Sequence, residues 1–349
     1  MNAQIALLLG QDGLTNGAIY ALLALAILLV FSVTRVLFIP QGEFASYSAL
    51  SMAAIQAGQP VPLVWLLAAF AVCEALADLW AMHRRAGKVR PGLAMLARLA
   101  YPFVLAALFY RLPLAGLPMA IQALLTLALV VPMGPKIYRL FYQPIATASP
   151  LALLIVSIAL HLALLGLGLL AFGAEGGRTE PFIDAMLPVG ELINIKGQAA
   201  CVVLVSGLLI VGLYVFFGRT LYGKALRAVA YNRLGARLMG ISPTFAGKAA
   251  FFVAALIGSV SGLLIAPITT LYFDSGFLLG LKGFVGAIIG GLVSYPIAAA
   301  GAVLVGLIES FSSFYASAYK EIIVFTLIIP VLLWRSLKSH HVDEEEDEE

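Results

Sequence analysis

Apolar segments long enough to cross a lipid bilayer recur along the whole chain. A membrane-spanning helix needs about 20 mostly apolar residues, because each residue advances it by only about 1.5 Å. The chain has 62% hydrophobic and only 11% charged residues, whereas soluble domains are about a quarter charged. The short alternating segments of a transmembrane barrel are not found. We therefore predict an all-α polytopic membrane protein with about 9–11 transmembrane helices, some of them discontinuous.

Charged and turn-forming residues divide this sequence into about eleven predicted spans. They cover 14–33, 44–57, 61–82, 94–110, 114–133, 151–172, 199–217, 245–265, a glycine-rich segment within 269–296, 297–315 and 321–334. The segment 35–58 is also compatible with a re-entrant loop, and 278–315 with a broken helix. We expect the start of the chain, before Leu14, to be amphipathic or partly inserted.

Lysine and arginine residues concentrate in alternate connections between the spans. They cluster in 83–90, 134–148, 218–242 and 335–338. Because cytoplasmic loops of membrane proteins carry the Lys/Arg excess, we predict a multi-pass membrane protein whose N-terminus lies outside and whose C-terminus lies in the cytoplasm. Residues 1–338 form the membrane domain, and 339–349 form an acidic cytoplasmic tail.

Ionisable residues inside or beside the spans are candidates for function, because a charged side chain in a bilayer is costly. Glu43, Asp274, Lys282 and Glu309 are in this position. Lys282 and Glu309 can pair across the ninth and tenth spans. Alternatively, all four lie near helix ends and extend toward water.

The run Pro40-Gln41-Gly42-Glu43 interrupts the apolar pattern just before a helical stretch. Discontinuous helices of transporters place such N-termini at solute sites, where free backbone N–H groups meet anionic groups. The residues predicted to lie along a solute path are Gln41, Gly42, Glu43, Asp274 and Lys282.

Signals for catalysis are missing from the sequence. Residues 218–224 match the phosphate-binding pattern GxxxxGK, but Ala225 replaces the Ser/Thr that holds magnesium, and an apolar span replaces the preceding strand. His161 stands alone in a span and is expected to be a hydrogen-bonded structural residue rather than a proton relay. We predict that the chain is not an enzyme and has no catalytic residue, metal site or cofactor. A basic run with interleaved aromatics is also missing, so we predict no nucleic-acid partner.

The segment 218–242 is the densest basic stretch between two spans. Read as one helix from about Lys224, its residues Leu226, Ala230, Leu234 and Leu238 are spaced four apart and share one face. An amphipathic helix of this kind can dock onto a cytoplasmic partner. A basic loop that only sets topology would carry the same charge.

Several segments together resemble one known family. They are 13–36, QGEF at 41–44, 142–164, 218–242, 273–292, GLIES at 306–310 and 319–335. In this order they resemble the branched-chain amino acid permeases of ATP-binding-cassette (ABC) importers of the LivH type. The resemblance covers most of the chain, and the segments are specific as a set rather than singly.

The resemblance implies a permease subunit of the bacterial inner membrane, with a periplasmic N-terminus and a cytoplasmic C-terminus. It works by alternating access and moves branched-chain or related amino acids. The resemblance also implies a second homologous permease, two cytoplasmic ATPases that hold ATP and magnesium, and a periplasmic solute-binding protein. The stretch 225–241 is then a cytoplasmic coupling helix on the ATPase. The residues assigned to that coupling are Arg227, Asn232, Arg233, Gly235 and Arg237.

Two stretches depart from the family pattern. Phe38-Ile39-Pro40-Gln41 replaces an Asn-Phe-Ala-His-like run. If this segment contacts the solute, the specificity of this chain differs from that of the family. Residues at about 83–112 form an insertion with a basic loop and a span. An importer of the same type for another small solute, such as urea or an amide, is therefore one alternative. A stand-alone ion-coupled secondary transporter or channel is another.

Overall fold

A computed structural model describes residues 3–84, 93–189, 193–334 and 337. Fourteen helices and one hairpin of two strands make up this part of the chain. The elements are α1 Ala3–Thr34, α2 Glu43–Gln56, α3 Leu63–Arg84, α4 Leu93–Arg111, α5 Met119–Val130, α6 Met133–Ile137, α7 Pro150–Phe172, β1 Met186–Val189, β2 Ile193–Lys196, α8 Gly197–Arg219, α9 Leu221–Tyr231, α10 Arg233–Leu238, α11 Pro243–Ile265, α12 Ser275–Ile289, α13 Tyr295–Tyr315 and α14 Lys320–Thr326.

Every segment predicted as a span is helical, which confirms the polytopic helical class. Within the described residues, eight helical stretches are long and apolar enough to cross a membrane. Helix α12 is apolar but only 15 residues long, and α2 has 14 residues. The prediction that the first span begins at Leu14 is wrong, because α1 is continuous from Ala3. Helix α13 is also continuous, so the predicted break within 278–315 is only the turn between α12 and α13.

The two ends of the helical body differ in chemistry. At one end, named here the basic end, the apolar residues Leu29 and Val33 of α1 pack with α9, α10 and the start of α11. At the other, the hairpin end, antiparallel β1 and β2 lie between α7 and α8. The strands were not predicted from the sequence. An isolated bridge between Gly177 and Leu271 also lies at this end.

Helix α1 is the centre of the body and packs against α8, α11, α12 and α13. At the hairpin end, Ser310 Oγ of α13 donates to the Leu9 carbonyl oxygen at 2.7 Å. At the basic end, the hydroxyls of Ser32 and Tyr295 are 3.2 Å apart. Helices α1 and α13 are therefore antiparallel neighbours over nearly their whole length.

Helices α2 and α12 are half-length and run antiparallel beside each other. A Cβ atom added to Gly276 would lie 2.6 Å from both the Gly42 carbonyl oxygen and Ser46 Oγ. One added to Gly42 would overlap the Gly276 backbone. Only residues without side chains allow this crossing, which brings the starts of both half-helices together inside the body.

Helix α4, which belongs to the predicted insertion, packs against α3 and contributes Arg98 to a cluster of charged side chains. Arg98 lies 3.4 Å from Glu74 of α3, and Glu74 also accepts from Lys136 of α6 at 2.9 Å. Arg139 pairs with both Glu74 and Asp78. The predicted basic loop from residue 85 to 90 and the acidic tail at 339–349 lie outside the described residues.

A pair of matched glycine substitutions tests the α2–α12 crossing. We expect Gly42→Ala to destabilise the fold by about 1–3 kcal/mol, since overpacking forces backbone shifts. Gly166→Ala in α7 meets open space and should be neutral or stabilising by up to about 1 kcal/mol, because alanine favours a helix. Thermal unfolding in detergent, followed by size-exclusion chromatography, measures both. Equal melting temperatures for the two variants would contradict the tight crossing.

Candidate functional site

The basic end carries a pair of short helices that leave the membrane body. Helix α8 ends at Arg219, and the Thr220 hydroxyl accepts from the Gly223 amide at 3.0 Å, which caps α9. A Cβ on Gly223 would overlap the Phe216 carbonyl group, so glycine permits the sharp turn between the helices. The GxxxxGK match therefore forms a corner between helices, and the element directly before the corner is helix α8 rather than a β-strand.

Asn232 divides the predicted coupling helix into two. Its backbone is extended, with φ −147° and ψ 102°, and its side-chain oxygen accepts from the Gly235 amide at 2.8 Å. This cap begins α10. At the other end, Gly240 has φ 81° and the Ile241 amide donates to the Ala236 carbonyl oxygen at 2.9 Å. Helix α10 therefore has a defined start and a defined left-handed stop.

The prediction of one helix with a four-residue apolar stripe is wrong. Leu226 is 1% exposed and faces the membrane body, whereas Leu234 is 69% and Leu238 is 79% exposed. The break at Asn232 reorients α10, so residues that would share a face in a continuous helix point to different surroundings. Val229, three residues after Leu226, shares the buried face of α9 instead.

Large apolar side chains of this region remain uncovered by the chain itself. We name the exposed residues Tyr231, Leu234, Leu238 and Met239 the 231–239 patch. Arg227 and Arg237, both predicted to engage a partner, are also exposed. A contiguous apolar surface with a charged rim is typical of a protein-interaction site.

Arg233, which is predicted to engage a partner, also bonds to the membrane body. Its guanidinium nitrogens donate to the carbonyl oxygens of Ala146 at 3.3 Å and Thr34 at 3.4 Å. Arg35 donates in turn to the Ala230 carbonyl oxygen at 3.4 Å. These bonds attach α9 and α10 to the end of α1 and to the segment before α7, so Arg233 positions the patch.

A buried ionisable pair lies where α2, α7 and α12 meet. Glu43 is 1% exposed, and its Oε1 atom lies 3.0 Å from His161 Nδ1. Ser46 Oγ donates to Glu43 Oε2 at 3.4 Å. The His161 ring stacks on Phe277 with 4.5 Å between ring centroids. The His161 ring therefore contacts Glu43 and Phe277, and Glu43 does not extend to water.

The other residues predicted around Glu43 are close to it. Gln41 is buried and donates through Nε2 to the Ala254 carbonyl oxygen at 2.9 Å. Gly42 forms the crossing with α12 described above. Asp274 lies within electrostatic range of Glu43 but is exposed at the start of α12. The structure therefore brings Gln41, Gly42, Glu43 and Asp274 into one region.

Lys282 belongs to a second buried cluster. Its Nζ atom donates to Glu309 Oε1 at 2.6 Å and to Glu321 Oε1 at 3.1 Å. The Tyr20 hydroxyl donates to Glu309 Oε2 at 2.7 Å. The predicted Lys282–Glu309 pair is thus present, and Tyr20 and Glu321 are partners that the sequence reasoning missed. We name these four residues the Lys282 cluster.

The two buried groups lie on different sides of α12. Gly276 and Gly280 face α2, whereas Lys282 bonds to α13 and α14. Lys282 is therefore not part of the region around Glu43, although the two were predicted on one path. The sequence shows Glu321 as an acidic residue at the start of the last predicted span. Its pairing with Lys282 could not be read from the sequence, because the two are 39 residues apart.

A cavity of about 1010 Å³ opens at the hairpin end. Its walls come from α1, the segment after α7, the end of β2 at Lys196, the start of α8, the α11–α12 connection, the end of α13 and the start of α14 at Lys320. Glu309 of the Lys282 cluster lines it, as do Asp12, Arg178 and Thr179. We name this space the hairpin-end cavity.

Known proteins share this sequence pattern. A family described as "branched-chain amino acid transport system / permease component" matches residues 90–332. The high-affinity branched-chain amino acid transport system permease protein LivH of Escherichia coli K12 is 30% identical over 208 residues, which covers 57% of this chain and 67% of that protein. BraD, a permease protein of the same description from Pseudomonas aeruginosa, is 27% identical over 241 residues, covering 67% and 78%.

An archaeal protein extends the comparison. The probable branched-chain amino acid transport permease protein LivH of Methanocaldococcus jannaschii is 28% identical over 259 residues, covering 66% of this chain and 78% of that protein. No solved structure matches significantly. The family match spans more than half of the chain, and this chain belongs to the branched-chain amino acid transport system permease family.

Proposed function

We propose that the chain is the permease subunit of an ABC importer for branched-chain or related amino acids, driven by separate ATPase subunits through alternating access. The 231–239 patch is the observation that carries this proposal. It presents apolar side chains outside the membrane body, on two capped helices that the body itself holds in place. The relatives' names support the solute class.

The charges of the described residues support a cytoplasmic basic end and a periplasmic hairpin end. Arg35, Arg139, Arg219, Lys224, Arg227, Arg233 and Arg237 lie at the basic end. The hairpin end carries several acidic residues, among them Asp12, Glu180 and Asp184. Positive residues favour the cytoplasmic side, so the N-terminus is periplasmic, the C-terminus is cytoplasmic, and the 231–239 patch faces cytoplasmic ATPases.

The remaining partners follow from the same assignment. A second homologous permease completes the path, and a periplasmic solute-binding protein delivers the solute at the hairpin end. ATP and magnesium are held by the ATPases, since the GxxxxGK corner in this chain lacks a hydroxyl for magnesium. The region of Gln41, Gly42, Glu43 and Asp274 is proposed as part of the path, because charged groups buried in a membrane mark solute routes.

A stand-alone ion-coupled carrier is the second candidate. The buried Glu43–His161 pair favours it, because carboxylate and imidazole groups serve as proton sites in such carriers. The 231–239 patch argues against it, since a carrier without an ATPase needs no apolar surface outside the membrane.

Uptake by proteoliposomes separates the two candidates. The chain, purified with the subunits that accompany it, should take up labelled leucine only with ATP, and vanadate should stop uptake. Collapse of the proton and sodium gradients should leave it unchanged. Uptake that follows an ion gradient and ignores vanadate would refute the importer proposal.

Loss of the α10 cap should uncouple transport without unfolding the chain. Asn232→Ala and Gly235→Pro each remove the bond between Asn232 Oδ1 and the Gly235 amide, at a cost of about 1 kcal/mol. ATP-driven uptake should fall severalfold while the amount of inserted chain stays constant. Asn232→Ser keeps a capping oxygen and should restore uptake. Unchanged uptake in both cap-deficient variants would remove the coupling role.

The exposed leucines of the patch should be needed for ATPase association. The double variant Leu234→Glu and Leu238→Glu places charge on an apolar contact and should reduce ATPase co-purification at least about tenfold. Replacing both with methionine keeps the contact apolar and serves as the matched control. Both variants should insert and melt like the native chain, because both leucines are mostly exposed. ATPase recovery equal to the native level with glutamate would contradict docking at this patch.

A further inference from the structure

The Lys282 cluster holds more negative than positive charge. One ammonium group, that of Lys282, is shared by the carboxylates of Glu309 and Glu321, and Tyr20 adds only a neutral hydroxyl. With the usual ionisation of these side chains, one negative charge is left over. The Oε2 atom of Glu321 is buried and has no hydrogen-bond partner among the described residues. Surplus charge of this kind attracts a cationic group strongly, since the surrounding dielectric constant is low.

The Lys282 cluster borders the hairpin-end cavity through Glu309 rather than through Glu321, and the cations Lys196 and Lys320 line the cavity as well. Glu309 is one of the residues that line the cavity, together with Ser310 from the next position of α13. The volume of about 1010 Å³ is at the upper end of the range of roughly 300–1,000 Å³ typical for small-molecule sites. An amino acid therefore fits with space for water.

A second feature of the cavity indicates a polar ligand. Thr179 lines it and is 7% exposed, yet its hydroxyl has no hydrogen-bond partner in the described part of the chain. Buried hydroxyls are normally paired, and one beside a cavity can be paired by a bound molecule. Thr179 is independent of the Lys282 cluster, because it comes from the segment after α7.

Arg178 adds a positive charge to the same cavity. Two of its guanidinium nitrogens donate to the Pro267 carbonyl oxygen, at 3.1 and 3.0 Å. Within the described residues its charge has no carboxylate partner. A guanidinium without a counterion disfavours simple cations and favours a ligand that brings a carboxylate.

We propose that the hairpin-end cavity is a binding site for a zwitterionic α-amino acid, with its ammonium group at Glu309 and its carboxylate toward Arg178. The inference rests on the proposed function and identifies where the solute is first held by this chain. Glu309 and Arg178 then face the two charged ends, and Glu321 gives the Lys282 cluster its surplus negative charge. The site is separate from the region around Glu43.

Competition binding with analogues that lack one charge tests the site. The probe is labelled L-leucine bound to the full chain in lipid nanodiscs. The competitors are 4-methylpentanoate, which lacks the ammonium group, and leucinamide, which lacks the carboxylate. The concentration of either analogue needed to displace half of the labelled leucine should be at least about tenfold higher than that of unlabelled leucine. The reason is that each analogue loses a charge-assisted hydrogen bond. Replacement of sodium by choline should change nothing, whereas sodium-dependent binding would assign the surplus charge to a metal ion and overturn the proposal.

Three variants assign the two ends. Glu321→Gln removes the surplus charge but leaves the Lys282–Glu309 pair, and it should cut the preference for leucine over 4-methylpentanoate about tenfold. Arg178→Gln should cut the preference over leucinamide by a similar factor, and Arg178→Lys should restore it. Glu175→Gln and Arg111→Gln change exposed charges outside the cavity and should leave both preferences unchanged.

The outcome can be separated from that of the proposed function. If the assembled transporter shows ATP-driven leucine uptake but the native chain binds leucine and 4-methylpentanoate equally, the amino-acid site is wrong and the importer stands. Unchanged preferences in Glu321→Gln and Arg178→Gln would overturn the site in the same way. If Glu321→Gln fails to fold, the analogue preferences of the native chain decide. Uptake without ATP would refute the proposed function whatever the preferences are.

Discussion

The close contact between the backbones of Gly42 and Gly276 sets the geometry of the membrane interior. It allows two half-helices to cross closely where they begin, at the buried residues Glu43 of α2 and Gly276 of α12. Unpaired backbone amides at a helix start carry partial positive charge. The carboxylate of Glu43, in the first turn of α2, is well placed for this field, and His161 lies on its other side.

Two clusters of oppositely charged side chains lie buried among the described helices. Glu74 is paired with Lys136 and Arg139, and Lys282 with Glu309 and Glu321. Removing one member of such a pair leaves the other charge unpaired in a medium of low dielectric constant. This typically lowers the free energy of unfolding by about 3–5 kcal/mol. The pairs therefore join helices that hydrophobic contact alone leaves free to slide, since lipid is as apolar as the side chains.

The periodicity of apolar residues was sufficient to predict where the helices lie. It was not sufficient to predict the helix break at Asn232 or the contacts between distant charged residues. All predicted spans are helical because long apolar runs have one stable solution in a bilayer. The prediction of a single coupling helix is wrong at Asn232. The four-residue spacing of apolar residues continues past this position, but the helical backbone does not. Asn232 followed by Gly235 is a capping pattern that could have shown the break. The Glu43–His161 contact could not be predicted, since it joins residues more than a hundred positions apart.

Helix α1 reaches from the 231–239 patch to the hairpin-end cavity as one continuous helix. Its 32 residues extend over about 48 Å at 1.5 Å per residue. The last turn is bonded to Arg233 beside the 231–239 patch, and the first turns form a wall of the hairpin-end cavity. With a pivot at one end, a tilt of about 5° moves the other end by roughly 4 Å. A tilt of this size would therefore change the width of the hairpin-end cavity by more than the diameter of a water molecule.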